Sequence, residues 1–558
     1  MITTKHGESA NGGKYFTDFE SADRKTLIHL FYHYLSMVFY DGFVAALFQS
    51  VIGRKISNVY YFRIFFLIAF IAINGSISLA QKHDYNWLMG YDGIIPPHPN
   101  FGNMRVDFHH DPPKVFSDEY FINFRSCAAT VSDSLGGLLF FTNGIHIYDR
   151  FGQIMEGGDT INPGEVWELA EEYGYVDVWP VFALPKPGAS NIYYLIHNGV
   201  EIVGTTGYAK YLYYSIIDMN LNEGLGKVLI KNQILMEGDI VCRDAVKHGN
   251  GRDWWIIGLQ AGDTNHYLFR LSANGISGPY IQDFGPPISL PEYAVPGGFS
   301  RDGNLFIRQD IDTEMRIYDF DRCSGLFSNL RIIPYVPGDF YAFNAVFSPD
   351  NHFIYLNNPY WIWTIDMQAE DLSASYDTLT HWEWNFNPHY PFGSGYWGGV
   401  VAPDNKIYYS NYAGTSRSMN IIHRPNFPAD AADCEEEALH LPHNNRFTFN
   451  FYPNYRLGEW DESPCDTFNL QGPDDGFEVT RYAAPPTLRD TTYKVFSPIR
   501  GIACPDCTPR DFEMLRSPMQ YMMALETLRL TGKPPADWPT EKAERIGLFL
   551  TLPPKPNK

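Results

Sequence analysis

One short unit recurs along this chain and limits it to few folds: a polar turn rich in Asp, Asn and Gly, then a strand of alternating aromatic or aliphatic residues. It reads SDSLGGLLFFTNG from Ser132, FSRDGNLFIRQD from Phe299, FSPDNHFIYLNN from Phe347 and VAPDNKIYYSNY from Val401. Looser copies are GASNIYYLIHNG from Gly188 and HGNGRDWWIIGLQ from His248. Most copies are followed by a second strand of the same kind, such as IHIYDRFG, HYLFRLSANG or WIWTIDMQ. The Asp-Gly or Asp-Asn pair supplies the positive-φ residues of a tight hairpin turn, and the alternation buries every second side chain between stacked sheets. Anchors at Asp133, Asn191, Asp253, Asp302, Asp350 and Asp404 lie 58, 62, 49, 48 and 54 residues apart. A four-stranded propeller blade takes about 40–50 residues. The expectation is therefore an all-β fold, a β-propeller of four-stranded blades, with six blades visible. A seventh, shared between Tyr85–Gly93 and Arg446–Gly458, would close the ring and remove exposed sheet edges. Seven blades is the preferred count, with six or eight as alternatives.

Composition agrees. Aromatic residues make up 16% of the 558 positions, and 47 Gly and 39 Pro punctuate the chain, as pleated strands joined by many turns require. The formal net charge of −22 repels phosphate backbones, so no nucleic-acid partner is expected. The sequence holds no nucleophile elbow, phosphate-binding loop or dinucleotide fingerprint. The reading leans away from an enzyme without deciding the matter, because propeller sites are assembled from scattered loops.

The compartment is read from residues 54–80. Arg54, Lys55 and Arg63 precede an apolar run from Ile64 to Ile73, and Ser78-Leu79-Ala80 places small residues before Gln81. This is the three-part layout of a signal peptide. Left uncleaved, the segment would be a signal anchor, the one membrane attachment expected. Residues 1–53 precede it, either because translation starts downstream, at Met37 or near Val51, or as a cytoplasmic extension. The propeller is assigned to residues 81–466, a linker-like extension to 467–508, a helical segment with a Met-rich stripe to 509–532, and a disordered tail to 533–558. The chain is read as secreted or displayed at the cell surface. Of seven cysteines, Cys434 and Cys465 bracket the end of the propeller and are expected to form a disulfide clasp. Cys504 and Cys507 form a lone CxxC, read as a local disulfide rather than a zinc or redox site.

The turn-plus-strand pattern resembles the YVTN/WD40-like propeller superfamily. SDSLGGLLFFTNG–IHIYDRFG and YPNYRLGEWDESPCDT also look like a group of large secreted β-propeller proteins of Bacteroidota, over Gln81 to Asp466, some 70% of the chain. The resemblance implies a propeller fold and an exported compartment, and no activity. Longer members carry a C-terminal secretion-sorting domain, which is not legible in this chain.

Candidate site residues are few. Asp107 and His109, two apart in DFHHD, could share a metal ion, whereas adjacent His109 and His110 point to opposite faces of an extended chain. Asp310/Asp312 and Asp319/Asp321 are carboxylate pairs of the kind that ligates Ca²⁺, the one cofactor considered, although neither carries the rest of a calcium loop. Trp382, Trp384, Tyr396 and Trp397 are the candidate ligand contacts, stacking platforms for sugar rings or other flat apolar groups. The functional expectation is a binding or scaffold module for a glycan, peptide or protein partner. The alternative is a secreted enzyme acting on glycans, a hydrolase or lyase.

Overall fold

In the computed structural model, the recurrent turn is held by its own aspartate. Oδ1 of Asp133 accepts the amides of Leu135 and Gly137, and Oδ1 of Asp302, Asp350 and Asp404 accepts those of Asn304, His352 and Lys406. In the two FSxD copies the serine completes the loop. Ser300 and Ser348 donate to the aspartate Oδ1 at 2.6 and 2.7 Å and accept the amides of Leu305 and Phe353 across the hairpin. Asn351 and Asn405 take up the positive φ that the turn requires, both at 62°. The motif is thus a self-contained hairpin nucleus. Asp253 differs, since its buried carboxylate pairs with Arg252 at 2.9 Å and Arg270 at 2.8 Å.

The structure describes residues 81–91, 100–125, 127–175, 181–203, 206–287, 298–310, 313–335, 342, 344–382, 395–412, 416–445, 448, 450–460 and 465. They form seven antiparallel sheets in chain order, each a meander of sequence neighbours. Blade 1 comprises Asn86–Tyr91, Gly102–Asp107 and Lys114–Asp118; blade 2 comprises Ala129–Ser132, Leu138–Thr142 and Ile147–Asp149. Blade 3 runs from Phe182 to Glu237, blade 4 from Ile240 to Asp283, blade 5 from Gly298 to Pro334, blade 6 from Asn344 to His381 and blade 7 from Gly399 to Asn445, with four strands apiece. Blade 2 gains an irregular fourth strand, because Asp149 N donates to Gln153 O and Met155 N to Ile147 O, with a bridge between Tyr148 and Ile154. First strands lie side by side from blade 1 to blade 3 and from blade 4 to blade 7. The protein is a seven-bladed β-propeller.

Strand alternation closes the ring. Trp254 and Ile256 pack with Leu184 and Ile196 of blade 3, while their neighbours Trp255 and Ile257 pack with Phe306 and Tyr318 of blade 5. Ile354 and Leu356 likewise face blade 5, and Phe353 and Tyr355 face blade 7. Seven such cores fill the seven interfaces, the last joining Tyr408 and Met419 of blade 7 to Trp87 and Val106 of blade 1. Each fully buried large side chain contributes roughly 1.5–3 kcal/mol to these interfaces.

The segment expected to complete the closing blade does lie along it, but not as a ladder-forming strand among the described residues. Asn450 Nδ2 donates to Leu88 O at 3.3 Å and Tyr452 OH to Asn86 O at 3.0 Å, while Thr130 Oγ1 accepts Leu88 N at 3.1 Å. Side chains satisfy the inner edge that a backbone ladder would otherwise occupy. The chain then crosses the ring. Tyr455 OH donates to Ala183 O of blade 3 at 2.6 Å, Asn454 Nδ2 to Arg301 O of blade 5 at 2.6 Å, and Arg322 Nη2 to Gly458 O at 2.6 Å. Gly251 marks the closest approach, with φ at 66° and a notional Cβ only 2.5 Å from Glu459 N. Cys465 ends the crossing in a disulfide with Cys323, with Cα atoms 5.6 Å apart. The expected Cys434–Cys465 clasp is therefore corrected. Cys434 is a free thiol in the outer strand of blade 7, and the crossing carries Cys465 to the turn at Cys323 in blade 5. The signal segment, the extension after Asp466, the helical segment 509–532 and the Cys504/Cys507 pair lie outside the described residues.

Candidate functional site

The crossing segment gathers ionisable groups at the ring mouth where the inner strands end. Lys247 closes the first strand of blade 4, Arg301 follows the first strand of blade 5, and His83 and Asp84 lead into blade 1. Arg456 from the segment grips the nearly buried Asp84 carboxylate with two bonds, Nη1–Oδ2 at 2.9 Å and Nη2–Oδ1 at 2.5 Å. His83 Nδ1 lies 2.6 Å from Ser132 O, and its ring packs 5.0 Å from Tyr455 and 6.0 Å from Tyr193. With Nδ1 directed at a carbonyl it is the N–H donor, which leaves the other nitrogen as the basic one. Burial lowers the pKa of His83, so the ring is neutral at pH 7.

The cations of this mouth are weakly compensated. Lys247 Nζ donates to Gly251 O at 3.3 Å and sits 4.6 Å from the Trp254 ring centroid. Burial, helped by Arg322, pulls it down to about 8. Arg322 bonds four carbonyl oxygens, those of Lys247, His248, Asp302 and Gly458, and no carboxylate. Arg301 is half-buried, and burial together with the neighbouring Arg456 brings it down to about 10. Ionisable groups displaced together on one rigid frame are what a binding or catalytic site needs. No sequence motif announces this set, because its members come from four separate stretches. The alternating pattern would have signalled only that Lys247 and Arg301 close inner strands.

The residues singled out in the sequence fall elsewhere. Asp107 Oδ1 lies 2.6 Å from His109 Nδ1, and His109 Nε2 lies 3.3 Å from Leu135 O. Both ring nitrogens thus face oxygens of the protein, tying the DFHHD turn to the first turn of blade 2. His110 Nε2 is 3.9 Å from Asp107 Oδ2, and no three His, Cys, Asp or Glu side chains gather as a metal cage among the described residues. Asp319 is taken by Arg331 and Asn329, and Asp321 caps the turn carrying Cys323; Asp312 and the Asp310 side chain lie outside the described residues. Tyr396 is fully buried between blades 6 and 7 and donates to Glu436 Oε1 at 2.5 Å. Trp382 is half-buried against the same core, and its Nε1 has no hydrogen-bond partner. Trp397 faces the opposite interface, toward blade 1, 5.6 Å from the Tyr412 ring. Trp384 lies outside the described residues. The structure brings Trp382 and Tyr396 together and separates Trp397 from both.

No protein-family model matches the sequence, and no curated protein matches it. Solved structures with similar architecture include a candidate 6-phosphogluconolactonase from Bacteroides uniformis, at 10% identity over 65% of this chain and 98% of that one, with a TM-score of 0.40. The periplasmic gluconolactonase of Pseudomonas aeruginosa is 12% identical over 65% of this chain and 97% of its own, with a TM-score of 0.37. A functionally unknown protein of Desulfotomaculum acetoxidans is 12% identical over 65% and 98%, with a TM-score of 0.35. No activity passes from them to this chain.

Proposed function

We propose that this protein is an extracytoplasmic propeller that binds a glycan, peptide or protein partner at the ring mouth crossed by residues 450–460. The observation that carries the reading is the convergence of His83, Asp84, Lys247, Arg301 and Arg456 there, with Arg456 bonded twice to Asp84 and with burial lowering the pKa of His83, Lys247 and Arg301. Such groups recognise a polar ligand, whereas a stability role alone would favour apolar contacts. The Cys323–Cys465 disulfide suits an oxidising compartment, in keeping with the signal segment before Gln81.

A second reading, a secreted enzyme acting on glycans as a hydrolase or lyase, draws on the neutral His83 and on Lys247 near 8, both suited to proton transfer. Screening the secreted protein against glycan and peptide arrays, with a reducing-end and unsaturated-product assay on each glycan bound, separates the two. Binding without turnover supports the module, and turnover supports the enzyme. Absence of both refutes a site at this mouth. N-terminal sequencing of the mature protein is expected to begin at Gln81; a product retaining residues 1–53 overturns the cleaved-signal reading.

A further inference from the structure

The charge balance at the mouth runs against that of the molecule. The chain carries 64 acidic and 42 basic residues, yet Arg301 and Arg456 adjoin one carboxylate, Asp84, and Lys247 adjoins Arg322. The neighbouring carboxylates are already committed. Asp84 is gripped by Arg456, Asp253 by Arg252 and Arg270, Asp133 caps its own turn, and Asp302 takes the Ser300 hydroxyl and the Asn304 amide. Arg322 and Lys247 are left with carbonyl oxygens.

Arg301 is the residue that this arrangement leaves without a carboxylate of its own: Asp84 attracts it, but both Asp84 oxygens are held by Arg456. Its backbone is pinned on both sides, its N–H donating to Asn351 Oδ1 at 3.1 Å and its carbonyl accepting Asn454 Nδ2 at 2.6 Å. The guanidinium, half-buried beside Arg456, makes no hydrogen bond or ion pair with the described residues. A planar donor fork held in place next to a second cation is costly unless an anion joins it. A carboxylate accepts such a fork with two parallel bonds.

We propose that Arg301, beside Arg456, binds the carboxylate of an acidic sugar at this mouth. The proposal rests on the mouth being a ligand site, and names the chemistry of its ligand. A phosphate group would meet the same donors, so the test carries one arm for each source.

The test is calorimetric titration of the full chain with oligogalacturonate, with a neutral galactose oligosaccharide of equal length and with inorganic phosphate, for wild type and Arg301→Gln. Wild type is expected to bind oligogalacturonate with an affinity that falls as salt rises, and Arg301→Gln to bind it about tenfold to a hundredfold more weakly. The variant's thermal midpoint should be no lower than that of wild type, because it removes a desolvated cation repelled by Arg456. Phosphate binding with the same dependence on Arg301, and no oligogalacturonate binding, keeps the oxyanion site and changes its source. Equal affinity of wild type for acidic and neutral sugars, or unchanged acidic-sugar affinity in Arg301→Gln, overturns the inference while leaving ligand binding at the mouth intact. No response to any of the three probes, with a partner on the arrays that is insensitive to Arg301, also overturns it; silence on the arrays as well removes the mouth reading itself.

Discussion

Breaking the Cys323–Cys465 bridge tests how the crossing segment secures the ring. The bond joins residues 142 apart in sequence. The loop-entropy relation gives about 5 kcal/mol of stabilisation for a loop of that length, and native bridges of this kind are worth about 2–5 kcal/mol when removed. The effect acts mainly on the unfolded chain, because the folded segment has other attachments: Tyr455 to Ala183 O, Arg456 to Asp84 and Gly458 O to Arg322. The double variant Cys323→Ser/Cys465→Ser should therefore fold with the segment in place, yet unfold at lower urea. The expected loss is about 2–5 kcal/mol by linear extrapolation. Peptide mapping of the unreduced protein should yield one linked pair carrying Cys323 and Cys465. An unchanged urea midpoint, or a linked pair carrying Cys434 and Cys465, refutes the reasoning.

Three other expectations follow from burial. Cys434 is pushed up to about 12, chiefly by burial and further by Glu436 and Asp433, so its thiol should resist iodoacetamide at neutral pH in the native protein; labelling at the rate of the unfolded chain contradicts this. Asp244 is pushed up to about 7 by burial, against the two amides it accepts from Ala245 and Phe299. A carboxyl whose folded pKa is raised contributes stability that is complete below about pH 4 and is lost as pH rises through about 7. Asp244→Asn should flatten that decline by on the order of a few kcal/mol in urea titrations across this window, whereas an equal offset at every pH would show that Asp244 does not titrate there. Trp255 fills the interface of blades 4 and 5 and donates Nε1–H to Arg322 O at 2.8 Å. Trp255→Ala should cost about 3–5 kcal/mol, and a loss under about 1 kcal/mol would mean that the ring is not held by its interfaces.

Much of the fold was legible because its information is local. Each aspartate turn of blades 2 and 5 to 7 closes through bonds within a few residues, so those hairpins could be read one at a time. The two irregular elements were less legible for the same reason. The fourth strand of blade 2 is held by a few bonds around Gln153, and the closing segment attaches through Asn450 and Tyr452 side chains rather than a ladder. The disulfide was misassigned because sequence proximity suggested Cys434 as the partner of Cys465, whereas the crossing carries Cys465 past blade 4 to the turn at Cys323. The polar mouth left no trace, since His83, Lys247, Arg301 and Arg456 are far apart in sequence.

The sequence by itself determined the repeat, the turn chemistry, the alternation that fills seven interfaces and the segment that meets the first strand. These depend on φ preference and on which side chains face inward, both fixed within a dozen residues. Only the tertiary structure decided how the ring is clasped and which charges meet at its axis. Closing a ring brings the ends of separate strands to one point, and electrostatic balance at that point depends on distance in space rather than order along the chain. Arg301 is a turn residue in the sequence; in the folded ring it is a cation beside another cation, with its donors unfilled.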